Sequence, residues 1–208
     1  MTVAGVLLGA GSSRRLGRPK QTLPLGDRTV LGHALAAAEA SSLDRIVLVV
    51  GGAADEALAA VAPQRAEVVL NESYGEGCAS SLLAGLDALS DADAVLLLLG
   101  DMPLLPVEVI DTMATAMRTD PPWGAVTVYD GGRLGHPFAF SRQAYPALRA
   151  LHGDKAVWKL VDGDTEGRVA HIRATASVPA DIDTWDDYQQ LCTEAGVAPP
   201  PGVIPASG

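Results

Sequence analysis

The sequence predicts one α/β domain of three layers, a mostly parallel sheet covered by helices on both faces, and three observations lead there. A length of 208 residues suits a single domain with a sizeable core. Hydrophobic residues make up 48% of the chain, too many for a disordered polypeptide, yet no apolar run reaches the ~18 residues of a membrane helix. Short apolar runs also alternate with helix-length amphipathic segments, the βαβα rhythm that a parallel sheet with crossover helices requires.

The chain enters its first strand at once, over Val3–Leu8, and its start lacks the basic and apolar regions of a signal peptide, so a cytoplasmic location is expected. The other strands fall at Ile46–Val50, Val68–Leu70, Ala94–Leu99 and Ala125–Val128. Helices lie between them at Val30–Ala40, Asp55–Val61, Ala79–Leu89 and Val107–Met117. Beyond these the rhythm breaks. Gly131-Gly132, Gly135-His136-Pro137, Gly153-Asp154 and Gly163-Asp164 divide the second half into short pieces placed to recognise a ligand around a crevice. Trp185–Glu194 reads as a last helix. The domain spans residues 1–195; Pro199-Pro200-Pro201-Gly202 and its small neighbours make 196–208 a disordered tail. Ligands of such sheets bind at the carboxyl ends of the strands, so chemistry is sought just after each strand.

Fifteen Lys and Arg against 25 Asp and Glu give a net charge of -10, which argues against nucleic acid as a partner. The two cysteines, Cys78 and Cys192, lie too far apart for a zinc motif. Against this acidic background the stretch from Leu8 to Lys20 stands out. Gly9 and Gly11 let backbone amides approach an anion, and four of the seven residues from Arg14 to Lys20 are basic. A polyphosphate is the guest this loop fits. A dinucleotide fingerprint would need glycine at Arg14, and a Walker loop fails because Arg18-Pro19 follows Gly17.

These residues resemble the signature of the MobA/MocA-like nucleotidyltransferases, Leu-Ala-Ala/Gly-Gly-x-Ser-x-Arg-Met-Gly-x-x-Lys. Leu8, Ala10, Gly11, Ser13, Arg15, Gly17 and Lys20 match it, while Gly9 and Leu16 depart from it. The resemblance implies a Rossmann-like, GT-A-like nucleotidyltransferase fold in which Leu8, Gly9, Ala10, Gly11 and Ser13 wrap a triphosphate. Arg15 and Lys20 would then neutralise charge developing on the α-phosphate and the leaving pyrophosphate. Ala10 stands where alanine marks cytidylyl-transferring members, which favours CTP.

Later motifs follow in the same order. Asp101, in Gly100-Asp101-Met102-Pro103 after a strand, matches the family's Gly-Asp-x-Pro and is the first expected Mg²⁺ ligand; a helix cap is the competing role. Asp181-Ile182-Asp183-Thr184 resembles a C-terminal Asp-x-Asp-Thr motif, and Asp183 is the better aligned second ligand, with a cap of the last helix as its alternative. By resemblance, Gly77 and Ser81 touch base or ribose, Gly51 with Gly52 forms a flat wall for the base, and His136 and Asp154 contact the acceptor. After Asp154 the chain departs from the Gly-Ala-Arg common in cytidylyltransferases and reads Lys155-Ala156-Val157-Trp158. The implied activity is transfer of a nucleoside monophosphate, CMP from CTP, to a phosphorylated acceptor, molybdopterin cofactor first, with a molybdenum enzyme as a further partner. Alternatives are another acceptor (a sugar phosphate, methylerythritol phosphate or phospholactate) and a non-catalytic carrier of nucleotide or cofactor.

Overall fold

The computed structural model describes residues 1–11, 16–153 and 155–204. Nine strands and seven α-helices are described: β1 (Val3–Leu8), β2 (Pro24–Leu25), β3 (Arg28–Thr29), α1 (Val30–Ala40), β4 (Arg45–Val50), α2 (Ala54–Ala59), β5 (Glu67–Leu70), α3 (Cys78–Ala88), β6 (Ala94–Leu99), α4 (Val107–Thr119), β7 (Gly124–Val128), β8 (Leu134–Ser141), α5 (Tyr145–Arg149), α6 (Ala156–Asp162), β9 (Val169–Arg173) and α7 (Trp185–Glu194). Seven strands form one sheet in the order β5-β4-β1-β6-β8-β7-β9, and β2 and β3 make a separate hairpin. Within the seven-stranded sheet β8 alone runs against its neighbours β6 and β7, and all other pairings there are parallel. The expected mostly parallel sheet is present, with element ends displaced by a residue or two.

The central strands are apolar throughout because both of their faces are covered, as parallel sheets require. Val3, Leu7, Leu48, Val50, Leu96 and Leu98 pack on one side with Leu31 and Leu35 of α1 and Ile110 and Met113 of α4. Their alternates, Ala4, Val6, Val47, Val49, Val95 and Leu97, face Leu82 and Leu86 of α3 and Leu148 and Val157 of α5 and α6. α3 lies close to β1 because residue 85 is glycine: a Cβ there would stand 2.4 Å from Val6 Cγ1. Among the described residues no helix is long and apolar enough to cross a membrane.

The second half holds more regular structure than its glycines suggest. Gly131 and Gly132, with φ of 72° and 77°, turn the chain between β7 and β8. Gly135-His136-Pro137 is thereby part of β8 and not a turn: Thr127 pairs with Gly135 across an irregularity in the ladder. A third cluster, Leu16, Leu23, Leu25, Val30, Ile182, Tyr188 and Leu191, joins α7 to the β2–β3 hairpin, with the Tyr188 hydroxyl donating to Pro24 O at 2.5 Å. Val197, Val203 and Ile204, in the stretch expected as a tail, pack partly buried against this cluster.

Candidate active site

β1 and β6 are neighbours whose following connections leave in opposite directions, so a crevice opens between their carboxyl ends. Two glycines let the loops there approach. Gly9 donates its N–H to Val49 O (2.8 Å) and Gly100 donates to Leu8 O (2.9 Å). A Cβ on Gly100 would lie 2.7 Å from Leu8 O and 3.4 Å from Gly9 Cα, so a side chain would push the Asp101 loop off the glycine loop. The crevice is a cavity of about 820 Å³, within the range of ligand sites.

Lys20 opens a single 3-10 turn, Lys20–Thr22, and its ammonium reaches across the crevice. It lies 2.5 Å from Asp101 Oδ2 and 3.4 Å from Asp183 Oδ1, and donates to Ile182 O at 2.7 Å. Burial alone would lower its pKa, but the Asp101 and then the Asp183 carboxylate outweigh that and hold it above the usual lysine value. Lys20 is therefore a fixed positive charge across the working pH range.

Both carboxylates are placed by their own backbone and not by capping duty. The residue before α4 is Pro106, with no side-chain cap, and Asp101 stands five residues ahead of it. α7 is capped by Thr184, which forms a capping box with Asp187, and Asp187 Oδ2 also accepts from Asp183 N–H at 3.0 Å. Ile182 is fully buried in the third cluster, and Asp181 and Asp183 on either side of it both line the cavity. Burial raises the Asp181 pKa, helped by the negative charges of Asp101 and Asp183.

Asp101 and Asp183 already hold one cation, the Lys20 ammonium, between them. Magnesium takes one or two protein carboxylates and completes its shell with phosphate oxygens and water, so this donor set fits it. Among the described residues no three His, Cys, Asp or Glu side chains group to hold a metal by themselves.

The glycine loop has an internal support that its motif does not display. The Gln21 side chain, 3% exposed, donates through Nε2 to Gly11 O (2.9 Å) and Gly9 O (3.2 Å). Asn71 plays a like part at the entrance to α3. It donates to the Ser80 and Ser81 hydroxyls, both at 2.9 Å, and accepts from Ser73 N–H at 2.9 Å. Gly77, with φ of 101°, bends the chain into α3, and Ala79 N–H reaches Gly153 O at 3.3 Å.

Part of the cavity wall is apolar and aromatic. His136 packs edge-on to Phe138, with ring centroids 4.4 Å apart, and to Trp158 of α6, at 6.0 Å. Burial pushes the His136 pKa down to about 4 against the opposing pull of Asp101, so the ring is neutral at pH 7. Leu134, Val157, Val178 and Pro179 complete this wall, and Lys155, with a left-handed φ of 56°, stands beside it.

Of the residues expected from sequence, Leu8, Ala10, Gly11, Lys20, Gly77, Ser81, Asp101, His136 and Asp183 all line this one cavity. Gly9 and Gly51 do not. Gly9 is a packing glycine against Val49 and Leu48, and Gly51 with Gly52 seats the Tyr74 ring, which a Cβ on Gly52 would meet at 2.4 Å. The flat wall expected of Gly51-Gly52 is thus covered by Tyr74, which itself lines the cavity. Ser13, Arg15 and Asp154 lie outside the described residues. Asp181, the less well aligned of the two acidic candidates around Ile182, lines the cavity too, and so do Gln21 and Tyr74, which the motifs do not point to. Gln21 could have been noticed as an uncharged amide beside the apolar Leu23 and Leu25; Tyr74 carries no periodic signal.

Residues 5–171 match the model of the MobA-like NTP transferase domain. Among curated proteins, nicotine blue oxidoreductase of Paenarthrobacter nicotinovorans is 30% identical over 172 residues, 80% of each chain. A Mycobacterium sp. strain JC1 homologue of Mycobacterium tuberculosis Rv0371c is 42% identical with a TM-score of 0.84, over 93% of this chain and 96% of that one. Rv0371c itself, solved in complex with manganese, is 36% identical with a TM-score of 0.77, over 93% and 99% of the two chains. The match covers the glycine loop, the Asp101 loop and His136 in one continuous span: the chain belongs to the MobA-like NTP transferase domain family, a nucleotidyltransferase by family and by fold.

Proposed function

We propose that this chain transfers CMP from CTP to a phosphorylated acceptor, molybdopterin cofactor, and releases pyrophosphate. The observation that carries the reading is the convergence of Lys20, Asp101 and Asp183 in the cavity that the glycine loop lines, which apolar and aromatic side chains line as well. The loop amides around Ala10 and Gly11, held by Gln21, bind the triphosphate; Arg15 and Lys20 neutralise the charge that grows on the α-phosphate and the leaving group. Gly77 and Ser81 receive base or ribose, and Ala10 favours the pyrimidine. Asp101 and Asp183 hold Mg²⁺, which supplies further charge neutralisation on the phosphates when bound.

An acceptor phosphate oxygen attacks the α-phosphorus in line. The new P–O bond forms as the bond to the bridging oxygen of the β-phosphate breaks, and its electron pair leaves with pyrophosphate. The acceptor phosphate is already largely anionic near neutral pH, so no protein base has to remove a proton. A neutral His136 orients the acceptor through ring contact and hydrogen bonding, and by the family resemblance Asp154 contacts the acceptor as well.

The test is pyrophosphate release with each of the four NTPs and Mg²⁺, with and without molybdopterin. Acceptor-dependent release with CTP supports the reading; preference for GTP reverses the base, and no release with any acceptor of a broad phosphate panel sinks it. A redox reading is favoured by one observation, the name of the relative that is 30% identical. Oxidation of a reduced nicotinamide without pyrophosphate release would decide for it.

A further inference from the structure

Three of the four tyrosines are structural. Tyr129, Tyr145 and Tyr188 are buried, and each donates its hydroxyl to a backbone carbonyl, of His136, Ala92 and Pro24 in turn. Tyr74 is the exception: it is 43% exposed, lines the cavity, and its hydroxyl makes no hydrogen bond among the described residues. A single exposed ring needs no explanation by itself. This one, however, lies in a bed that only glycine leaves open. A Cβ on Gly51 would stand 2.7 Å from Tyr74 Cβ and 3.1 Å from its Cγ, and a Cβ on Gly52 would stand 2.4 Å from Cε2, 2.6 Å from Cζ and 3.0 Å from the hydroxyl oxygen. The side chain is thus seated along Gly51-Gly52 from root to tip, and its position is set before any ligand arrives. The bed adjoins the glycine loop, since the same Cβ on Gly51 would stand 2.9 Å from Ala10 Cβ. A triphosphate on the amides of Ala10 and Gly11 therefore leaves the rest of its nucleotide within reach of the ring. Gly77, expected at base or ribose, closes the 3-10 turn that Tyr74 opens.

We propose that Tyr74 is the platform on which the nucleobase stacks. The inference rests on the proposed binding of a nucleoside triphosphate in this cavity. Every base has a π-face, so the ring sets how tightly a nucleotide binds and not which one, and its loss weakens a stacked base by ~5–150-fold. The hydroxyl adds nothing to this contact; the ring and its bed of two glycines are what it needs.

The test is calorimetric titration of the full chain, with Mg²⁺ and no acceptor, using CTP, GTP and ribose 5-triphosphate, a nucleotide without its base. In the wild type the better of the two nucleotides should bind ~10-fold or more tighter than ribose 5-triphosphate. Tyr74→Ala and Tyr74→Leu should each lose ~10-fold or more for that nucleotide and change little for ribose 5-triphosphate, while Tyr74→Phe keeps the wild-type affinity for both. Leucine still covers Gly51 and Gly52 but has no π-face, so Y74L separates stacking from packing. Nucleotide binding unchanged in folded Y74A or Y74L, or an equal loss for the base-free probe, overturns the proposal, and so does a wild type that binds neither nucleotide. Should neither variant fold, equal wild-type affinity for the nucleotide and ribose 5-triphosphate overturns it. Absence of pyrophosphate release with every acceptor would instead remove the proposed reaction and leave the platform standing on the titrations.

Discussion

Gln21→Met tests whether a buried amide holds the glycine loop after β1 in shape. The substitution keeps length and volume and removes two donated hydrogen bonds, to Gly11 O at 2.9 Å and to Gly9 O at 3.2 Å. The bond to Gly9 is buried, so the orphaned carbonyl costs ~1–3 kcal/mol; the half-buried Gly11 carbonyl can recruit water and costs ~0.5–1.5 kcal/mol. Better apolar packing by the thioether offsets only part of this, leaving ~1–4 kcal/mol of destabilisation. For a chain of this size the melting temperature should fall by ~2–4 °C per kcal/mol. A loop that relaxes also misplaces the amides around Ala10 and Gly11, so, on the proposed reaction, the KM for the nucleotide should rise ~10-fold or more while the acceptor KM holds. Gln21→Glu should be worse, because a carboxylate would face two carbonyl oxygens with nothing to donate. Thermal melts and steady-state kinetics read both effects. An unchanged melting temperature with an unchanged KM for the nucleotide in Q21M would refute the reasoning.

Asp101→Asn removes the closest anion to Lys20 and should cut turnover by ~10²–10³-fold or more while the circular dichroism spectrum stays native, checked by pyrophosphate release. Gly85→Ala sets a Cβ 2.4 Å from Val6 Cγ1 and 3.1 Å from Val49 Cγ2; overpacking of ~1–3 kcal/mol outweighs the ~1 kcal/mol gained in helix propensity, and urea unfolding should show a net loss. His136 has a folded pKa of about 4 against an ordinary 6.5, so the unfolded chain takes up the proton first as pH falls. Its contribution is complete above about 6.5 and is lost on acidification toward 4, worth ~3 kcal/mol; His136→Asn should flatten that limb in urea titrations at pH 7 and 5.

Much of the fold was legible because the central strands carry a local signature. Val3–Leu8, Arg45–Val50 and Ala94–Leu99 are buried on both faces, so their apolar runs are continuous and their helices follow at regular spacing. Of β8 only the strand-like Phe138-Ala139-Phe140 was legible, because the first half reads as a turn: Gly135 and Pro137 are poor strand formers, and the ladder with β7 accommodates them only through an irregular register. The hairpin of β2 and β3 has two residues per strand and no periodicity to detect; α7 and Tyr188 hold it in place from over 150 residues away.

The site divides along the same line. Sequence by itself determined which residue types sit at the ends of β1 and β6, since a motif directly after a strand is carried to the sheet's edge by the strand: hence Lys20, Asp101, Ala10 and Gly11 in one cavity. Only the tertiary structure decided that Asp183, over 160 residues from Lys20, shares its ammonium with Asp101. It also decided that Gln21 turns inward to the glycine loop and that Tyr74 covers Gly51 and Gly52. Those outcomes depend on side-chain packing across distant segments. A buried amide or ring takes whichever partner the surrounding fold leaves unsatisfied, and no spacing along the chain records that choice.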